Sequence, residues 1–236
     1  VILVIAVATV VTMLIYWAIS ALFFRQDAAE TMAGAASSSY YNSVNIGLPI
    51  ATYVLGDATF VVPALVLQMA VLSPIVIAGL DRSSSGVAKS VLSGLTAPVV
   101  VAAFAGFAVS AASWTVPEPV LAPLEILGGA SIPLILMSFG ASLTGEKVLT
   151  SHRGPTLTAT ALKLVGMPAV AWVVATLLGL DGQEMYAALI LCALPTAQNV
   201  YNYAATYRSG EVICRDTVFL TTFLALPAML LIAGVF

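Results

Sequence analysis

Eight apolar stretches follow one another along nearly the whole chain, and they decide which folds are possible. A bilayer core about 30 Å thick requires about 20 apolar residues per helix. Strands of a membrane barrel would instead alternate apolar and polar residues over about ten positions. The fold class is therefore predicted to be all-α and integral to a membrane, with eight transmembrane helices. They are predicted at residues 1–24, 40–56, 60–80, 96–113, 121–143, 155–180, 184–207 and 212–236.

The composition predicts a surface that faces lipid. Of the 236 residues, 61% are hydrophobic and 8% are charged, whereas soluble domains carry about 25% charged residues. The lipid bilayer is thus an expected partner, and nucleic acid is not. The two cysteines, Cys192 and Cys214, have no metal-ligand spacing, so they are interpreted as buried and structural. Neither a metal nor a cofactor is predicted.

Basic residues alternate along the predicted loops. The first, third, fifth and seventh loops, or the helix ends beside them, hold seven of the eight lysines and arginines, and the other loops hold only acidic charges. Short loops rich in Lys and Arg stay in the cytoplasm. The pattern predicts a multi-pass plasma membrane protein with odd-numbered loops cytoplasmic and both ends of this chain outside. The seven residues are Arg25, Arg82, Lys89, Lys147, Arg153, Arg208 and Arg215.

Two segments resemble each other and have opposite predicted orientations. Each contains a helix interrupted by a proline, Pro49 or Pro195, then a short turn and a helix with another proline before an Ala-Gly pair. Proline removes a backbone N–H and clashes with the preceding turn. Inverted repeats with interrupted helices in matching positions are typical of secondary transporters, whose binding site lies where the breaks meet. The sequence therefore predicts an inverted-repeat transporter with two crossed, proline-broken helices.

Polar side chains gather around both predicted breaks. Two asparagines three positions apart precede the first proline, and two more with the same spacing follow the second, so each pair shares one helical face. In the predicted orientation both pairs lie on the cytoplasmic side of the breaks, which predicts a cytoplasm-facing vestibule for a polar or anionic substrate. The alternative is that these asparagines only join neighbouring helices. The predicted substrate-binding residues, with those that shape the breaks, are Asn42, Asn45, Gly47, Pro49, Pro195, Thr196, Gln198, Asn199 and Asn202.

One basic residue, Lys163, falls within a predicted membrane helix, eight residues after Pro155. Charges inside membrane helices are costly and are often functional. The long stem of this lysine allows its ammonium group to snorkel to the cytoplasmic surface. Alternatively, Lys163 points inward, where it would compensate the charge of an anion, take the place of a coupling cation or carry a coupling proton. The sequence leaves both alternatives open.

Four motifs in order carry a family resemblance. They are "NxxNxGLPI" at residues 42–50, "GGASIPLILMSFGASL" at 128–143, "LKLVGMPAVAW" at 162–172 and "ALPTAQNVYNYA" at 193–204. The chain resembles the auxin efflux carrier family, which includes plant PIN transporters and bacterial malate or malonate permeases. The resemblance covers nearly the whole chain.

The resemblance implies an architecture and a substrate class. Members have about ten helices in two inverted sets of five, and a transport domain moves against a scaffold. Residues 1–80 and 155–236 would be the two halves of the transport domain, 90–145 the scaffold helices, and 40–56 and 184–207 the crossing helices. The family's first two helices would be absent from this chain, which begins at Val1 without a polar leader. The substrate would be a small organic anion such as malate, malonate or an auxin-like carboxylate, in a bacterial inner membrane, with a homodimer as a candidate assembly.

Other functions fit the residues less well. An intramembrane enzyme would require a nucleophile with a base or a set of metal ligands, and the only histidine, His152, falls in a charged loop. No enzymatic activity is therefore expected. A sodium-coupled organic-acid or bile-acid-type symporter, or a cation/proton exchanger, has the same crossed-helix design, and Asn45, Gln68 and Asn199 are suitable oxygen donors for sodium. A channel would not require opposed repeats.

Overall fold

A computed structural model describes residues 1–57, 60–81, 98–144 and 147–235, together with the single positions 89, 92, 95 and 96. Within these ranges all regular structure is helical, which confirms the predicted all-α class. Arg82, one of the basic residues behind the predicted orientation, and parts of the predicted span 96–113 and of the scaffold range 90–145 lie outside the described residues.

The described helices are numbered here in chain order. They are α1 (Ile2–Phe23), α2 (Ala28–Ser39), α3 (Leu48–Tyr53), α4 (Val62–Leu67), α5 (Ser73–Leu80), α6 (Pro98–Ala111), α7 (Glu118–Leu143), α8 (Arg153–Ala161), α9 (Met167–Leu177), α10 (Gly182–Cys192), α11 (Gln198–Tyr207) and α12 (Glu211–Val235). Three π-helical segments join them: Ser43–Gly47 leads into α3, Gln68–Leu72 links α4 to α5, and Leu162–Gly166 links α8 to α9.

Four described helices have the length and apolar composition needed to cross a membrane. They are Ile2–Phe23, Val62–Leu80, Arg153–Leu177 and Glu211–Val235. These helices match the predicted spans 1–24, 60–80, 155–180 and 212–236. The count of eight spans stays a prediction, because the stretches 40–56 and 184–207 belong to shorter, interrupted helices in the structure.

Each of the three π segments ends two residues before a proline, which is Pro49, Pro74 or Pro168. A proline ring clashes with the carbonyl four residues earlier and brings no N–H for that carbonyl. The preceding turn is widened as a result, so the residue before each proline donates its N–H five residues back. These bonds run from Leu48 to Ser43, from Ser73 to Gln68 and from Met167 to Leu162. The prolines therefore widen these helices without ending them.

The first crossing helix is interrupted at a place that the sequence did not predict. The first break, residues 40–42, lies between α2 and the π segment that leads into α3. Pro49 lies beyond this break, directly after the π segment, whose widened turn accommodates the proline ring. The prediction that Pro49 interrupts a helix spanning 40–56 is therefore wrong. The second break, residues 193–197, contains Pro195 as predicted.

Helix α2 occupies a stretch that the apolar pattern assigns to a loop. It is rich in Ala, Gly and Ser, and nine of its twelve residues are buried. Small residues let membrane helices approach closely: Gly34 lies against the ring of Tyr16 in α1, and Ala33 lies against Gly210 before α12. The local signal for its start is Asp27 followed three residues later by Glu30, because an acidic N-cap before a Glu at this spacing is typical of a helix start.

Replacing the N-cap of α2 is expected to destabilise the protein modestly. The side chain of Asp27 accepts a hydrogen bond of 2.8 Å from the backbone N–H of Glu30, and loss of an N-cap costs about 1 kcal/mol. For Asp27→Ala we expect the thermal melting midpoint in detergent to fall by about 2–4 °C. Asp27→Asn, which keeps the capping oxygen, should melt within about 1 °C of the unmodified protein. If both variants had the same melting midpoint as the unmodified protein, the role of this cap would be contradicted.

The four half-helices of the two crossing helices form two pairs. Near the start of α10, the side chain of Gln183 donates to the carbonyl of Leu55, just after α3, at 3.0 Å. Ala36 of α2 and Ala204 of α11 belong to one and the same buried apolar cluster. Thus α3 and α10 lie on one side of the crossing, and α2 and α11 lie on the other.

Candidate functional site

The two breaks touch each other through their backbones. The N–H of Asn42, in the first break, donates to the carbonyl of Pro195, in the second, at 2.9 Å. Gly47 lies against the same contact, because a Cβ atom there would be 2.9 Å from Cδ1 of Leu194 and 3.2 Å from Cγ2 of Val61. A larger residue at position 47 would require the end of the Leu194 side chain to shift.

A cavity of about 170 Å³ is lined by residues of both breaks and their flanking helices. Pockets for drug-sized ligands measure roughly 300–1,000 Å³, so this one suits a smaller molecule. None of the described residues that line it carries a charged side chain. They are Tyr41, Asn42, Ser43, Val44, Asn45, Gln68, Met69, Ala197, Gln198 and Asn199.

Amide side chains join the two sides of the cavity. Nδ2 of Asn45 donates to Oε1 of Gln198 at 3.3 Å. Oδ1 of Asn42 accepts from the backbone N–H of Asn45 at 3.2 Å and caps the π segment. Asn42 is the last residue of the first break, and Asn45 follows it in the π segment that leads into α3, whereas Asn199 lies in α11. The first pair of asparagines therefore lies towards α3, and the second pair lies on the α11 side of the crossing. The expectation that both pairs lie on the same side of their breaks is therefore wrong.

Gln68 is a cavity residue that was not among the predicted binding residues. It is 1% exposed, and its Nε2 donates to the carbonyl of Tyr41 at 2.9 Å while its Oε1 accepts from Oγ of Ser43 at 2.7 Å. Backbone groups freed inside a membrane must find partners within the protein, and this amide supplies one in the first break. The sequence signal is an isolated glutamine in an apolar run, six residues before Pro74.

A cluster of hydroxyl groups continues from Gln68 towards α11. The hydroxyl of Tyr40 donates to the carbonyl of Gln68 at 3.0 Å and lies 2.6 Å from Oγ of Ser73. That Oγ lies 3.2 Å from the hydroxyl of Tyr203. The first break, α5 and α11 are thus joined by polar contacts within otherwise apolar helices.

Five residues of the predicted site are not among the described residues that line the cavity. Thr196 is fully buried, and its Oγ1 donates to the carbonyl of Ser37 at 2.6 Å while its N–H donates to Oγ1 of Thr221 at 3.1 Å. It holds the second break between α2 and α12. The other four residues are Gly47, Pro49, Pro195 and Asn202.

Lys163 points into the protein, as in the inward alternative. Its side chain is fully buried, and Nζ donates to the carbonyl of Cys192 at 2.8 Å and to Sδ of Met167 at 3.1 Å. Nζ also lies 6.0 Å from the centre of the Tyr41 ring. Because Tyr41 lines the cavity, the ammonium group lies behind the cavity wall.

The start of α11 faces the cavity without a cap. Gln198 and Asn199 are its first two residues, and backbone N–H groups at such positions have no acceptor within the helix. The residue before them, Ala197, makes no side-chain hydrogen bond to these groups. Helix starts carry a partial positive charge and attract anions.

The fold and this site define a multi-pass, all-helical membrane protein with a polar cavity between two interrupted helices. The chain belongs to the family described as membrane transport proteins, whose family model matches residues 82–233. This match confirms the resemblance to the auxin efflux carriers.

Two relatives show how far the similarity extends. A provisionally assigned malonate transporter of Rhizobium meliloti is 25% identical over 233 residues, which are 94% of this chain and 72% of that protein. An uncharacterized transporter of Methanocaldococcus jannaschii is 27% identical over 107 residues, which are 45% of this chain. The second match spans 34% of the archaeal protein.

Proposed function

We propose that the protein is a secondary transporter that moves a small organic anion, such as malonate or malate, across the plasma membrane by alternating access. The observation that carries this proposal is the uncharged amide cavity between the two breaks, with the uncapped start of α11 at its wall. Membership of a transport family and the name of the bacterial relative support the class of substrate.

The cavity is suited to a carboxylate by its hydrogen-bond donors. The amides of Asn45, Gln198 and Asn199 and the first N–H groups of α11 offer donors without a fixed charge. Lys163 adds positive potential from behind Tyr41, so an anion gains attraction without being held by a direct ion pair. Transport requires a site that binds its substrate strongly enough to select it and weakly enough to release it.

The proposed alternating access rests on two inverted copies of one unit. Its support is the order of elements: a long helix, an interrupted crossing helix and a second long helix occur from α1 to α5 and again from α8 to α12. In the proposal these units, residues 1–80 and 155–236, move together as the transport domain against scaffold helices in 90–145. In the proposal the odd-numbered loops, which hold seven of the eight basic residues, lie in the cytoplasm.

The experiment that tests the function is uptake of radiolabelled malonate into proteoliposomes. We expect saturable uptake that an inward proton gradient stimulates and that unlabelled malate competes away. Stimulation by a sodium gradient instead would favour the sodium-coupled organic-acid symporter. Absence of uptake for both dicarboxylates would contradict the proposed substrate class.

Asn45→Ala is expected to lower the transport efficiency for malonate about tenfold, since a lost hydrogen bond worth about 1.4 kcal/mol changes affinity by that factor. The measurement is the concentration dependence of initial uptake. Thr52→Ala and Thr206→Ala are matched controls on α3 and α11, because these hydroxyls bond only the backbone of their own helices, at the carbonyls of Leu48 and Asn202. Unchanged uptake by Asn45→Ala would place the substrate elsewhere.

A further inference from the structure

The ammonium group of Lys163 is buried, and the described part of the chain places no negative side chain beside it. Among the residues that the structure describes, no carboxylate forms an ion pair with it, and its polar contacts are the carbonyl of Cys192 and the sulfur of Met167. An isolated charge inside a membrane protein is costly unless its surroundings replace its hydration. The groups around Nζ are therefore the ones that can replace its hydration.

Those neighbouring groups have the chemistry of a monovalent-cation site. Cys192 is the last residue of α10, where carbonyl oxygens lack partners within the helix and carry the negative end of the helix dipole. The face of the Tyr41 ring, 6.0 Å away, attracts cations through its quadrupole. The thioether of Met167 completes the contacts with a soft acceptor. A carbonyl at a helix end, an aromatic face and a thioether thus surround one positive charge.

We infer that the ammonium of Lys163 is a covalently attached occupant of a monovalent-cation site at the second break. The helix interruption creates the site by exposing the end of α10, and the chain fills it from the π segment Leu162–Gly166. A positive charge that the lysine carries at this place does not depend on a free ion. This cation site does not depend on which substrate the cavity binds. Its consequence for transport is that no sodium ion is needed at the second break, and that consequence rests on the proposed function.

The variant Lys163→Ala tests this inference. The atoms that this substitution removes from the lysine side chain correspond to n-propylammonium, which can therefore be added back as a free cation. We expect propylammonium chloride, at ten times its dissociation constant, to raise the melting midpoint of purified Lys163→Ala by about 3–6 °C. Tetramethylammonium, which has the charge but no N–H donor, should give no shift. Lys163→Met fills the space of the stem without a charge, so propylammonium should not stabilise it, nor the unmodified protein.

A sodium series on the same samples provides a second measurement. Lys163→Ala should melt higher in sodium chloride than in choline chloride, whereas the unmodified protein should melt equally in both. Lys163→Ser, which leaves similar space, replaces the alanine variant if that variant cannot be purified without propylammonium. The inference would be overturned if neither propylammonium nor sodium stabilised the alanine or serine variant. It would also be overturned if propylammonium stabilised Lys163→Met as much as it stabilised these variants. The readout is melting, so these outcomes are separate from success or failure of malonate uptake.

Discussion

Gln68→Leu is expected to destabilise the protein by about 2–4 kcal/mol and to abolish measurable uptake, because leucine has a similar volume but no polar atoms. Two bonds are lost, one from Nε2 to the carbonyl of Tyr41 and one from Oγ of Ser43 to Oε1. Both partners are buried. The carbonyl of Tyr41 keeps one bond, from the N–H of Ser43 at 2.9 Å, which limits the cost. Melting in detergent and malonate uptake measure the two effects.

Gln183→Leu is the matched control for this prediction. Its Nε2 also donates to a backbone carbonyl, that of Leu55 at 3.0 Å, but away from the cavity and only partly buried. We expect a loss of about 0.5–1.5 kcal/mol and uptake within about twofold of the parent. If Gln68→Leu behaved like Gln183→Leu in both assays, the first break would not depend on the amide of Gln68.

Gly34→Ala is expected to destabilise the protein by about 3 kcal/mol or more, through overpacking of the contact between α1 and α2. A Cβ atom at this position would collide with the hydroxyl and ring atoms of Tyr16. That ring is fully buried, and its hydroxyl donates to Gln26 at 3.2 Å, so it has little room to turn away. Thermal melting should show the loss.

Two further variants make the result specific to this contact. Gly106→Ala, in α6, meets no atom within 4 Å, so it should leave stability unchanged or raise it by up to about 1 kcal/mol. The double variant Gly34→Ala with Tyr16→Leu removes the colliding atoms and should lose less stability than the sum of the two single changes. Additive losses would show that Tyr16 is not the reason why position 34 requires glycine.

The sequence predicts best where a single local rule decides the structure. Long apolar runs predict the continuous helices, and the polar segment around Pro195 predicts the second break. Pro49 misleads because the effect of a proline depends on the turn before it: a widened turn absorbs the ring, and the actual break at 40–42 contains no proline. Helix α2 is missed because it is buried through small residues rather than through a strongly apolar composition, although Asp27 and Glu30 mark its start.

The cavity is predicted in part, and tertiary contacts account for the remainder. Asn42, Asn45, Gln198 and Asn199 come together at the crossing because they lie in or directly beside the two breaks, and the sequence shows these amides near both. Gln68 is a single polar residue in an apolar helix, and no rule of spacing indicates that it meets the carbonyl of Tyr41. For Lys163, the choice between the surface and the interior depends on the free carbonyl of Cys192, which only the fold supplies.

The π segments also change the angular phase of the helices that contain them. Each widened turn acts as one inserted residue, and one residue corresponds to about 100° of rotation in an α-helix. The side chains before and after Gln68–Leu72, or before and after Leu162–Gly166, therefore follow two different helical wheels. No single wheel drawn through either helix can place all of its buried residues on one face. Deleting one residue within such a segment would restore one continuous wheel and turn the following half of the helix, with its proline, towards a different neighbour.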